Sequence, residues 1–84
     1  NGQSPVLEAR VNGRKRIDCM MLLRDKAVCA IEIDYSIRKN SVKKLHGFAG
    51  DVEKIIISYA PNATWWRAKS RRKDELSGIN LFRL

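Results

Sequence analysis

RIDCMMLLRDKAVCAIEIDY, residues 16–35, decides the fold. Two apolar runs, Ile17 to Leu23 and Ala27 to Tyr35, flank the charged knot Arg24-Asp25-Lys26, and three carboxylates, Asp18, Glu32 and Asp34, stand near the outer ends of those runs. The second run is rich in the β-branched residues that fit a pleated surface, so the segment reads as two strands joined by a short hairpin. Successive strand side chains point to opposite faces. Asp18, Met20 and Leu22 therefore share one face, and Ala30, Glu32, Asp34 and Ser36 share one face of their own strand. A three-residue loop centred on Asp25 sets Asp18 opposite Glu32, and one centred on Lys26 sets it opposite Asp34; either way the three acids converge. A two-residue loop is expected to break the convergence, since the odd register puts Asp18 opposite an apolar position. Asp-Lys is also poor chemistry for such a loop, which favours Asn-Gly or Gly-X.

Working outward, Val6 to Val11 alternates loosely and stops at Asn12-Gly13, a dipeptide that suits tight hairpin turns, so it reads as a first strand. Beyond Ser36 the period becomes helical. Val42, Leu45, Ala49 and Val52 recur at three- and four-residue spacing, with Asn40 or Ser41 placed to cap the start and Lys43 and Lys44 pointing away from the packed stripe. Gly47 and Gly50 each weaken that helix by roughly a kcal/mol relative to Ala, so its end is free to bend past His46. Lys54 to Ala60 is a continuous apolar run of the kind found in strands buried on both faces, stopped by Pro61-Asn62. Thr64 caps a second predicted helix, Trp65 to Leu76, with Gly78 as terminator, and Ile79 to Leu84 alternates as a last strand. The predicted class is α/β, with the order strand-strand-strand-helix-strand-helix-strand: a mixed sheet of about five strands with two helices packed on it. Ile31, Ile33, Ile55, Ile57, Leu45 and Val52 are the predicted core.

Composition narrows the class further. The 84 residues suffice for one small domain, and 44% hydrophobic with 31% charged residues is a globular balance. Residues 1–84 read as a single domain or as a segment cut from a longer chain. Cys19 and Cys29 lie inside apolar runs and read as reduced core cysteines of an intracellular protein, cytoplasmic or nuclear. No apolar run approaches the roughly 18 residues a bilayer span needs, so no membrane is expected as a partner. A net charge of +8 makes nucleic acid the first partner to consider, while an anionic membrane surface or ribosomal association fits the charge alone as well.

Carboxylates that converge repel one another and resist desolvation, which gives a protein little structural reason to cluster them without a cation. Hard oxygen donors of this kind suit Mg²⁺ or Mn²⁺. The opposing reading has them as solvated strand-end acids balanced by Arg16 and Arg38. Arg14-Lys15-Arg16, Arg38-Lys39 and Lys43-Lys44 bracket the acids in sequence and would hold a phosphate backbone near a metal. Trp66 is read as a stacking surface beside a basic helix carrying Arg67, Lys69, Arg71, Arg72 and Lys73. Adjacent tryptophans in a helix point about 100° apart, which leaves at most one of Trp65 and Trp66 for the core. His46 has no Cys or His at ligand spacing and reads as structural.

An Asp at the start of one strand, a hairpin, then Glu-x-(charged) late in the next strand followed by a helix resembles the PD-(D/E)XK nuclease superfamily. The matching residues are Asp18 in RIDCMML and Glu32 in AVCAIEID, and the resemblance runs from Val6 to Ala60. It implies a restriction-endonuclease-like core, a nuclease-like domain and metal-dependent cleavage of phosphodiesters, of DNA before RNA, with Asp18 and Glu32 holding Mg²⁺ or Mn²⁺. The family's lysine helps to orient or activate the attacking water; here Asp34 stands in its place. Three outcomes stay open: Lys43 or Lys44 reaches the same space, Asp34 serves as a third ligand or general base, or the site is dead and the domain binds nucleic acid or supports assembly. Family members commonly carry an N-terminal helix with another acid, and no helix is expected before Val6. Assembly is left open between a homodimer and a larger parent protein.

Overall fold

The computed structural model describes residues 3–11 and 15–84. The Asn12-Gly13 turn and Arg14 lie outside the described residues, as does the side chain of Lys15. Strands β1 (Gln3–Val11), β2 (Lys15–Leu23) and β3 (Lys26–Asp34) form an antiparallel meander. Helix α1 (Lys39–His46) crosses to β4 (Glu53–Ser58), parallel to β3, and α2 (Asn62–Arg71) crosses to β5 (Ile79–Arg83), parallel to β4. A 3₁₀ turn, Lys73–Glu75, follows α2. The five strands lie in the order β1-β2-β3-β4-β5, so the mixed α/β architecture agrees with the predicted element order. Among the described residues, no helix is long and apolar enough to cross a membrane.

The central hairpin departs from both loops first considered. Leu23 pairs with Lys26, leaving the two-residue loop Arg24-Asp25, and both residues take positive φ (53° and 64°), as a type I′ turn requires. This loop alone would set Asp18 opposite Ile31. It does not, because the pairing steps from Leu22–Ala27 to Met21–Cys29 and leaves Val28 as an extra, bulged residue. Beyond the bulge the ladder runs Met20–Ala30 and Cys19–Ile31, the register that carries Asp18 to Glu32. The expected loss of convergence is thus corrected by the bulge. Ala27 and Ala30, three residues apart, both pack on the core as the bulge demands.

Both helices cover one face of the sheet. Ile17, Ala30, Ile56 and Ile79 pack with Val42 and Leu45 of α1, with Ala68 of α2 and with the connecting residues Ile37, Val52 and Leu76. Leu45 and Val52 are therefore core as predicted. The four isoleucines are not: Ile31, Ile55 and Ile57 are only half-buried, and Ile33 is 47% exposed, because they point to the opposite face. A continuous apolar run states that a strand can be buried on both sides; here the helices cover one of them.

Helix α1 ends at His46, with Gly47 as C-cap, so Ala49 and Val52 lie beyond it. Its N-cap is Arg38 and not Asn40 or Ser41, and no side chain caps it. Lys54, 8% exposed, holds the following loop by donating to the carbonyls of Ala49 (2.9 Å) and Val52 (3.0 Å). Helix α2 starts three residues before the predicted Trp65, after Pro61, whose fixed φ and missing N–H suit a helix entry. Trp65 is buried and Trp66 is 52% exposed, the division the 100° spacing requires. His46 donates from Nε2 to the Glu75 carbonyl and joins α1 to the 3₁₀ turn. Both cysteines are free thiols, Cys29 buried and Cys19 half-buried; burial and the neighbouring Glu53 push the Cys29 thiol up from its ordinary value.

Candidate metal centre

Asp18, Glu32 and Asp34 bring one carboxylate oxygen each to within 4.8 Å of one another. Alternation along β3 puts Glu32 and Asp34 on the helix-covered face, and the bulge brings Asp18 across from them. The described ladder between β2 and β3 stops at Cys19–Ile31, and past it Asp18 Oδ2 accepts the Ile33 backbone N–H at 2.8 Å. That bond replaces a backbone partner with a side chain. It fixes the carboxylate of Asp18 on the side of β2 that faces β3.

Glu32 is 2% exposed and Asp34 8%. Two acids this deep need compensation, and α1 supplies it from two residues. Ser41 donates its hydroxyl to Asp34 Oδ2. Lys44 places Nζ 2.7 Å from Glu32 Oε1 and donates to the Arg16 carbonyl at 2.8 Å. Glu32 Oε1 is enclosed, and the Lys44 ammonium is its close partner. Among the described side chains, one ammonium is set against three carboxylates. Burial pushes the Glu32 carboxyl up from 4.5 to about 7, with Lys44 pulling it down and Asp18 adding to the rise.

Three carboxylates with oxygens this close together could hold a metal ion, and hard oxygen donors of this kind suit a divalent cation. The residues fit such an ion. Lys44 enters this space from α1, although the helical period predicts that it points away from the packed stripe; its long stem crosses the gap that the period alone does not measure. Lys43 is exposed. Ser41 was read as a helix cap and missed as a partner of Asp34; the available signal was a serine one turn before Lys44, on the same side of the helix.

The basic residues divide into free and engaged sets. Arg16, Arg38, Lys39, Lys43, Arg67, Arg71 and Lys73 have exposed side chains. Lys69 is half-buried with its ammonium 4.8 Å and 4.7 Å from the ring centroids of Trp65 and Trp66, a cation–π contact that occupies Trp66 as well. Arg72 donates from Nε to the Ile37 carbonyl at 3.2 Å and pairs with Glu75 at 3.3 Å. No family, curated protein or solved structure matches this chain.

Proposed function

We propose that this chain is a metal-dependent nuclease domain with a restriction-endonuclease-like core, in which Asp18 and Glu32 hold Mg²⁺ or Mn²⁺ and the substrate is a nucleic-acid phosphodiester. The observation that carries the reading is the buried acidic cluster, three carboxylates with oxygens within 4.8 Å of one another and, among the described side chains, one ammonium against them. When bound, such an ion polarises the phosphoryl oxygen and lowers the pKa of an attacking water. The remaining roles fall to the chain. Asp34, held by Ser41, is a third ligand or the base that takes a proton from the water. Lys44 takes the place of the family's lysine: it approaches Glu32 from the helix, while Asp34 occupies the strand position where that lysine stands in the motif. The exposed cations supply salt-sensitive, sequence-independent attraction for the phosphate backbone.

The depth of Glu32 and Asp34 favours a second reading, a nucleic-acid-binding or assembly module whose acids only order nearby cations. Calorimetry separates the two. Wild-type protein is expected to bind Mn²⁺ and to cleave plasmid or single-stranded DNA in its presence, and Asp18→Ala is expected to abolish both. Absence of Mn²⁺ and Mg²⁺ binding, even with nucleic acid present, would sink the metal centre and leave the basic surface as the function.

A further inference from the structure

The parallel strands β3 and β4 end on Asp34 and Ser58, and each is followed by a tyrosine. The backbone fixes these two side by side. Tyr59 N–H donates to the Asp34 carbonyl at 3.1 Å, and Ser58 Oγ donates to the Tyr35 carbonyl at 2.7 Å while accepting the Ala60 N–H at 3.2 Å. The rings of Tyr35 and Tyr59 meet edge to face, centroids 5.6 Å apart and planes at 77°, yet remain 50% and 56% exposed. At that separation nothing inserts between them, but an edge-to-face pair leaves open the outer face of the ring whose inner face is covered. It is a platform on a rigid support.

Two clefts meet at this rim. One, of about 360 Å³, is lined by Tyr35, Tyr59, Arg38 and Asp34. The other, of about 310 Å³, shares Arg38 and adds Lys39, Arg71 and Arg72. Arg72 is oriented there by its bond to the Ile37 carbonyl. An aromatic cleft and a cationic cleft with one arginine between them match the two parts of a nucleotide, a flat base and a phosphate. The carboxyl ends of parallel strands are also where open α/β sheets place their ligands.

We propose that this rim binds an unpaired nucleic-acid strand, with one base stacked on the Tyr35–Tyr59 platform and the adjoining phosphates at Arg38, Lys39, Arg71 and Arg72. The proposal rests on the nucleic-acid reading above and narrows its substrate class. In a duplex both faces of each base are already covered by its neighbours, so the platform accepts a base only from a single strand, a frayed end or a flap. Trp66, the sequence's candidate for stacking, faces Lys69 instead.

The test is fluorescence anisotropy in EDTA with a short labelled single strand and the matching duplex, so that neither metal nor cleavage enters the readout. Wild-type protein is expected to prefer the single strand. Tyr35→Ala with Tyr59→Ala is expected to weaken the single strand by about 5- to 100-fold, the range for loss of one stacked base, and to leave duplex affinity unchanged. Tyr35→Phe with Tyr59→Phe retains the preference. Equal affinity of the wild type for both probes, or an unaltered single-strand affinity in the alanine variant, overturns the proposal. Should the alanine pair fail to fold, quenching of a fluorescent adenine analogue by the wild type decides: quenching of a stacked analogue supports the platform, and no quenching at any position of the strand overturns it. The nuclease reading fails separately, by absence of Mn²⁺ binding and cleavage while base stacking persists.

Discussion

In Glu32→Gln, Mn²⁺-dependent cleavage is expected to fall by about 10³-fold, while the folded protein gains stability above neutral pH. The first effect follows from removing a charged oxygen ligand at the centre of the acid cluster without changing its shape. The second comes from the carboxyl itself. Its folded pKa, about 7, lies above the ordinary 4.5 chiefly because it is buried. Between those values the native state keeps a proton that the unfolded chain has released, so stability of the metal-free protein falls as pH rises through the window from 4.5 to 7. Below it both states are protonated and nothing is lost; above it the loss, up to ~3 kcal/mol, is complete. Glutamine carries no such term, and Lys44 keeps the Arg16 carbonyl as partner. Urea denaturation across the window is expected to show a falling profile for the wild type and a flatter one for the variant. Saturating Mn²⁺ restores wild-type stability at high pH and does nothing for the variant. Identical profiles would contradict a buried, metal-seeking carboxylate.

Lys44→Ala is the second large effect, with cleavage expected to drop by about 10²- to 10⁴-fold, the range for a positioned group that orients or activates water. Mn²⁺ affinity measured by calorimetry should change far less than the rate, because Asp18, Glu32 and Asp34 all remain. Lys44→Arg is not expected to rescue. The gap between α1 and β3 is filled by a single ammonium that touches both Glu32 and the Arg16 carbonyl, and a planar guanidinium cannot meet both from the same point. A rate unchanged in Lys44→Ala would mean that the helix lysine only balances charge.

The acid cluster was legible in the sequence because strand parity is a strong constraint: once Ile17 to Leu23 and Ala27 to Tyr35 are strands, few registers separate Asp18 from Glu32 and Asp34. The route to that register was not legible. Arg24-Asp25 lacks the residues a type I′ turn prefers, and the bulge at Val28 leaves only one trace, two alanines three apart that share a face. The helices follow from their period, but a period reports direction and not reach: it turns Lys44 away from the packed stripe, and only the expectation that Lys43 or Lys44 reaches the acids puts Lys44 where it lies, while Ser41 reads as a cap and not as the partner of Asp34. The core was half-read for another reason. Ile31, Ile33, Ile55 and Ile57 are as apolar as Ile56, and only the side on which both crossovers lie separates them. Tyr35 and Tyr59 gave no local signal; they become neighbours through parallel pairing of strands distant in sequence.

The bulge also tells which changes of chain length the hairpin accepts. Val28 is the one residue of β3 that the ladder with β2 skips, so deleting it irons the strand flat and leaves Met21–Cys29, Met20–Ala30 and Cys19–Ile31 in place. Removing Met21 from the opposite strand has no such reserve. The chain would then either pair flat, with Asp18 against Ala30, or keep the bulge, with Asp18 against Ile31, and in neither case does it face Glu32. Two deletions of one apolar residue each, on facing strands of one hairpin, thus have opposite fates: the first sheds a spare link, and the second dismantles the acid cluster without touching any of its members.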